Sequence, residues 1–257
     1  MVKVEFDMRK SVPENAKNHY ERAKKLKAKI PGLRHAIEES RKKLETQGSE
    51  PAGEKALKRK VERKWYEKFR WFTSSQGYLV LGGRDATTNE VLVKKHLEPN
   101  DVVLHASIQG APFFIVKNPG GGEVPSETKK EAAVAAASYS KIWSRGAGSA
   151  DVYEVRPDQV SKTPPAGEYL SKGAFMIYGE KKWHKGVEVK VAVGVREGGV
   201  IGGPVAAVAA QTKDYVVVGV GDIPQGALAK KIREKLTGAE LDDLQRFLPP
   251  GGGRLLL

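Results

Sequence analysis

YLVLGGRDATTNEVLVKKHLEPNDVVLHASIQGAPFFIVKN, residues 78–118, decides the fold. YLVLGG (78–83), DVVLHA (101–106) and PFFIVKN (112–118) are short apolar runs closed by Gly, Asn and Pro, as buried strands are. Between the first two lies GGRDATTNEVLVKKH (82–96), where residues 88–97 fit a helix with Glu90 and Lys94 one turn apart. Downstream, SETKKEAAVAAASYSKIW (126–143) reads as a helix with Ser126 as N-cap and an alanine face for close packing. DVYEVRP (151–157), FMIYGE (175–180) and VEVKVAVGV (187–195) read as further strands, the last cleanly alternating. PVAAVAAQ (204–211) and DYVVVGVG (214–221) continue the series, a helix is expected over 226–247, and the tail PPGGGRLLL (249–257) is expected to be loose. With no repeat and no βαβ rhythm, the expectation is α+β: a mixed sheet with packed helices.

Upstream the pattern is helical. Pro13 and Glu14 suit a first turn after Ser11, and Ala16, Tyr20, Ala23, Leu26, Ile30, Leu33, Ile37 and Leu44 recur at coiled-coil-like spacing. Pro31-Gly32 predicts a kink or two shorter helices. So narrow a stripe needs a partner helix or a second copy. The expected division is a helical stalk over 1–50, a basic linker or helix over 51–70, a folded domain over 71–248 and the tail over 249–257.

Charge is unevenly spread. Residues 1–70 carry 21 Lys/Arg against 11 Asp/Glu, and the remaining residues 23 against 20. A basic arm before a nearly neutral body suits a polyanion, nucleic acid being the commonest. The arm is densest over 55–70, with Lys58, Arg59, Lys60, Arg63 and Lys64 among its eight basic residues. Trp65, Tyr66, Phe69, Trp71 and Phe72 close it. At helical spacing Trp65, Phe69 and Phe72 share a face that either staples the helix to the following domain or stacks bases.

The sequence offers little to an enzyme. It has no cysteine, which excludes disulfides, thiolate chemistry and Cys-based zinc sites. It has no phosphate-cradling GxxxxGK[ST] loop and no HExxH helix. His19, His35, His96, His105 and His184 show no metal-ligand spacing, so no catalytic residue, metal or cofactor is assigned. No run reaches the roughly 18–20 apolar residues of a membrane span, and no apolar signal segment opens the chain, so a soluble cytoplasmic protein is expected. Two polar clusters remain. In 82–96, Arg84 presents a planar fork for phosphate or a base edge, whereas Asp85 and Asn89 suit holding the turn. Asp85, Glu90 and Lys94 also sketch a metal-dependent nuclease, although their spacing does not match one. In 156–175, Ser161, Lys162, Lys172 and Gly173 can meet phosphates through hydroxyl, ammonium and backbone N–H groups.

WYEKFRWFTSSQGYLVLGGRDATTNEVLVKKHL, DVVLHASIQGAPFFIVKNP and PDQVSKTPPAGEYLSKGAFMIYG together resemble the RNA-binding C-terminal module of the NFACT proteins, the archaeal and eukaryotic branch in particular. The preceding VEFDMRKSVPENAKNHYERAKKLKAKIPGLRHAIEE is similar to the end of that family's coiled coil. The resemblance implies ribosome-associated quality control of stalled nascent chains, with large-subunit rRNA and tRNA as partners and no hydrolytic centre. Family positions matched here are Arg84, Asp85, Asn89, Lys94, His105, Gln109, Gly110, Ser161 and Lys162. The family's N-terminal domain and first coiled-coil helix have no counterpart here, so a fragment or a short relative is expected. The expectation is a non-catalytic RNA-binding module on a basic stalk. The rivals are a nuclease and a coiled-coil interaction scaffold.

Overall fold

The computed structural model describes residues 7–8, 11–46, 64–164, 170–197 and 199–256, in two compact units divided after residue 62. Among the described residues of the first unit is the helix α1 (Val12–Thr46), which continues through Pro31 as a single 35-residue element. Its start is tied by the Glu14 carboxylate, which accepts from the Ser11 N–H at 2.9 Å and the Ser11 hydroxyl at 2.8 Å. The expected break at Pro31-Gly32 is absent: a proline removes one helical donor, and the surrounding good helix formers carry the ladder past it. Tyr20, Leu26, Ile30, Leu33 and Ile37 of its stripe are all exposed.

The second unit opens with a 3₁₀ turn, Trp65–Lys68, followed by β1 (Arg70–Thr73), β2 (Leu79–Gly82), α2 (Ala86–His96), β3 (Val102–Ala106) and β4 (Phe113–Val116). Next come α3 (Ser126–Ser138), α4 (Lys141–Ser144), β5 (Ser149–Val155), β6 (Val160–Ser161), β7 (Met176–Ile177) and β8 (Lys182–Glu188). The chain ends through β9 (Lys190–Arg196), β10 (Gly199–Gly203), α5 (Val205–Ala209), β11 (Tyr215–Ile223), α6 (Gln225–Lys235), α7 (Leu241–Phe247) and β12 (Gly253–Leu256).

The α+β class holds. The sheet expected to be mixed is instead antiparallel in every described pairing: a six-stranded sheet ordered β1-β2-β4-β3-β5-β8, a four-stranded sheet ordered β10-β9-β11-β12, and the small pair β6-β7. The 187–195 run is not one strand, because the chain leaves the large sheet at Glu188, passes Val189 and enters the small sheet at Lys190. Residues 205–209 are helical, and the long C-terminal helix is two, with Gly238 between them at φ 82°. The tail is not loose. Gly253–Leu256 pairs with β11, and a Cβ on Gly253 would stand 2.8 Å from Leu228 Cδ2, so the glycine allows a close approach. Pro125, not Ser126, occupies the N-cap of α3.

Strand alternation sorts the large sheet's two faces. Leu104, Ala106, Phe114 and Val152 face the alanine side of α3, where Ala132, Ala133, Ala135, Ala136 and Ala137 are fully buried, and this core extends to Val191 and Val218 of the small sheet. Val103, Phe113, Tyr153 and Val155 face the other way, against Val93 and Leu97 of α2 and against Val160, Phe175 and Ile177. Phe69 packs on this face too, with Leu81, Leu92 and Ile115. The aromatic cluster over 65–72 is therefore not one helical face. Phe72 lies on a strand and is buried with the α3 core, whereas Trp65 stays exposed and stacks on His96 at 4.7 Å. Among the described residues no helix is long and apolar enough to cross a membrane.

Candidate nucleic-acid interface

The two polar clusters of the sequence meet at α2. Asp85 caps the helix: its Oδ1 accepts from the Thr88 N–H at 2.8 Å, and the Thr88 hydroxyl accepts from the Asp85 N–H at 3.0 Å and the Arg84 N–H at 2.9 Å. The Thr88 N–H first, then the Thr88 hydroxyl and the Thr87 N–H, hold the Asp85 carboxyl below its ordinary range. One turn on, Asn89 is buried, taking the Phe113 N–H on Oδ1 at 2.9 Å and donating through Nδ2 to the Gly173 carbonyl at 2.7 Å. Glu90 accepts from the Gly173 N–H at 3.0 Å and pairs with Lys94 at 2.7 Å. Lys94 first and Gly173 second pull its carboxyl down to about 2. Gly173 itself has φ 78°, and a Cβ there would lie 2.6 Å from the Ala86 carbonyl oxygen, so only glycine fits this docking.

Several expected phosphate contacts are thus committed internally. Lys162 donates to the Ala174 and Ser171 carbonyls at 3.0 and 3.2 Å and lies 4.9 Å over the Phe175 ring. The Ser161 hydroxyl accepts from the Thr163 N–H at 3.1 Å. Lys94 is spent on Glu90, although it remains half exposed. Lys172 and Gln109 are exposed, and Lys64 extends from the start of the unit. His105 is neither free nor basic: one ring nitrogen sits 3.0 Å from the Ala111 carbonyl, and burial pushes its pKa down to about 4. Lys58, Arg59, Lys60 and Arg63 lie outside the described residues. Beside α2 a cavity of about 590 Å³ opens among Val93, Leu97, Val160 and Phe175, with Lys94, Arg156 and Lys162 also lining it.

Asp85 and Glu90, the carboxylates of the nuclease alternative, are thus both engaged by N–H groups or Lys94. Among the described residues no three His, Cys, Asp or Glu side chains converge.

Arg84 is placed differently. Its Nε is buried without a hydrogen-bond partner. Burial, then the positive charges of Arg70 and Arg246, lower its pKa. Arg70, opposite Gly82 in the sheet register, lies with its guanidinium 4.4 Å over the Tyr139 ring. Arg246 comes from α7, 179 residues along the chain, and donates to the Glu67 carbonyl at 3.0 Å. Tyr139 is fixed by its hydroxyl, which donates to the Phe247 carbonyl at 2.6 Å, and burial holds that phenol at about 12. Among the described residues no carboxylate forms an ion pair with Arg70 or Arg84, while Arg246 has Asp243 at 3.7 Å and Glu67 at 3.9 Å. Like charges gathered in a partly desolvated cluster repel, and an anion seated among them relieves the repulsion. Arg70 was visible in the basic run; Arg246 gave no signal in the sequence, because only the fold brings α7 to β1.

An antiparallel α+β domain with an arginine cluster offers anion binding as its chemistry. Residues 68–179 match the family model described as NFACT protein RNA binding domain. The chain belongs to the NFACT family. It is 42% identical over 207 residues to the archaeal Rqc2 homolog aRqcH of Methanocaldococcus jannaschii, covering 76% of this chain and 30% of that protein. It is 40% identical to the ribosome quality control complex subunit NEMF homolog of Drosophila melanogaster, over 70% of this chain and 18% of that one. The human ribosome quality control complex subunit NEMF is 39% identical over 66% of this chain and 16% of its own length. The chain thus spans less than a third of these relatives.

Proposed function

We propose that this chain is the RNA-binding part of a ribosome quality control factor, acting without catalysis on large-subunit rRNA and tRNA. The observation that carries the reading is the cluster of Arg70, Arg84 and Arg246, in which Arg84 has a buried unpaired Nε and, among the described residues, no carboxylate forms an ion pair with Arg70 or Arg84. Phosphate oxygens supply the missing acceptors, in a geometry that guanidinium forks match. The internally bonded α2–Gly173 junction keeps Arg84 in place, and the basic run over 55–70 adds long-range attraction. The names of the relatives support the setting. Crosslinking the chain to RNA in cells and sequencing what is bound tests it: enrichment of large-subunit rRNA and tRNA is expected, and a spread over messenger RNA overturns it. The exposed stripe of α1 is a surface for a partner helix or a second copy; exchanging Leu26 and Leu33 for Asp abolishes any self-association measured by sedimentation.

Recognition and support are separable by mutation. Arg84→Ala lowers RNA affinity without lowering the thermal midpoint, because it removes a repelled cation. Asp85→Ala removes the cap of α2 and costs about 1 kcal/mol of stability. Equal RNA binding by Arg84→Ala and the parent chain would make this turn purely structural.

A further inference from the structure

One face of the large sheet's β8 end carries a feature that the arginine cluster does not use. One cross-strand row runs over four strands: Phe113 faces His105, His105 faces Tyr153, and Tyr153 faces Trp183. Ring centroids step along it at 4.5, 5.3 and 5.6 Å. At the β4 end, Phe175 closes the row edge-on at 5.7 Å and α2 covers it. The cover stops before β8. Tyr153 is 8% exposed and Trp183, on the edge strand, is 43% exposed.

Charge surrounds the same end. Lys181 Nζ lies 4.7 Å over the Tyr153 ring and Lys185 Nζ 4.4 Å over the Trp183 ring. Alternation places Trp183 and Lys185 on this face, whereas Lys182 and His184 point to the other. There Glu154 accepts from His184 at 3.1 Å and from Lys129 at 3.2 Å. Lys185 also pairs with Asp151 at 2.9 Å, yet its side chain remains 67% exposed and free to move to another anion.

We infer that the β5–β8 end of the sheet is a stacking platform for single-stranded RNA, with one base on Trp183 and the flanking phosphates on Lys181 and Lys185. The inference rests on the RNA-binding reading above and adds a second site to it. Three observations converge. An exposed indole on an edge strand offers a flat face that every base can stack on. The rings beneath are locked in register, so Trp183 is held rather than mobile. The neighbouring cations flank the indole in sequence, Lys181 just before β8 and Lys185 within it, each close to a ring of the row. A duplex cannot use this face, because its bases are already stacked, so the platform selects unpaired RNA.

The test compares a fluorescent eight-nucleotide oligouridylate with a sixteen-base-pair RNA duplex, both titrated with the full chain. Trp183→Ala is expected to weaken oligouridylate binding about tenfold and to leave duplex binding unchanged, since stacking adds this much per base. Trp183→Phe retains most of the affinity. Exchanging Lys181 and Lys185 for Gln lowers the log–log salt slope for the single strand by about 1.4, or about 0.7 per phosphate contact. Oligouridylate binding by Trp183→Ala equal to the parent overturns the platform, as does an equal loss for single strand and duplex. A parent chain that binds the duplex alone also overturns it while leaving the RNA-binding reading intact. A parent chain that binds neither RNA overturns both.

Discussion

Asn89→Ala lowers the unfolding free energy of the second unit by about 2–3 kcal/mol, the cost of leaving buried polar groups without partners. The side chain is 5% exposed and is the only described partner of two backbone groups from distant segments, the Phe113 N–H and the Gly173 carbonyl. Alanine satisfies neither, and the space it leaves is hemmed in by β2, β4 and the Gly173 turn. Asn89→Asp keeps the acceptor for Phe113 but loses the donor to Gly173 and buries a charge near Glu90, so it is no milder. Urea unfolding of the full chain followed by tryptophan fluorescence reads the loss. An unchanged midpoint would mean that the junction of α2 with residues 171–174 does not hold this part of the fold together.

Acidification from pH 7 to pH 4 removes about 3 kcal/mol of stability through His105, at about 1.4 kcal/mol per pH unit. Burial holds the folded imidazole near 4, while the unfolded one titrates near its ordinary 6.5. Between those values the unfolded chain binds a proton that the folded chain refuses. Stability therefore falls as the pH drops below 6.5 and levels off near 4. His96 acts in the same direction, because burial and then Lys68 lower its pKa as well. Comparison with His105→Phe isolates the one residue, since phenylalanine fits the row between Phe113 and Tyr153. The variant shows a flatter decline over this range in thermal unfolding at stepped pH. Parallel curves for the two proteins would place His105 in water rather than among the rings. Glu90 acts in a lower window: its depressed carboxyl stabilises above its ordinary 4.5, and that contribution is lost as the pH falls toward about 2.

The buried strands over 78–118 were legible because short apolar runs with Gly, Asn and Pro at their ends have few other uses. Asp85 was legible as holding the turn, whereas the helix expected over 88–97 begins at Ala86, which makes Asp85 its N-cap. Features set by distant partners were not legible. The 187–195 run alternates as one strand would, yet two sheets compete for it and the chain changes sheets at Val189. Glycines in the tail look like flexibility, although β11 supplies a ladder for them and Gly253 fits against Leu228. That Lys94 and Lys162 also bond within the protein, to Glu90 and to the Ser171 and Ala174 carbonyls, was not legible. Arg246 and Trp183 carried no motif. The first matters because α7 returns to β1, the second because Trp183 stays exposed on the face of β8 opposite α3.

The salt dependence of RNA affinity for the full chain tests the central claim most directly. Arg70, Arg84 and Arg246 are exchanged together for Gln, with thermal unfolding as the check on folding. If the cluster seats phosphate, affinity drops and the log–log slope becomes shallower by about 2, or about 0.7 for each contact to a single strand. A folded triple variant with the affinity and slope of the parent chain would contradict the account.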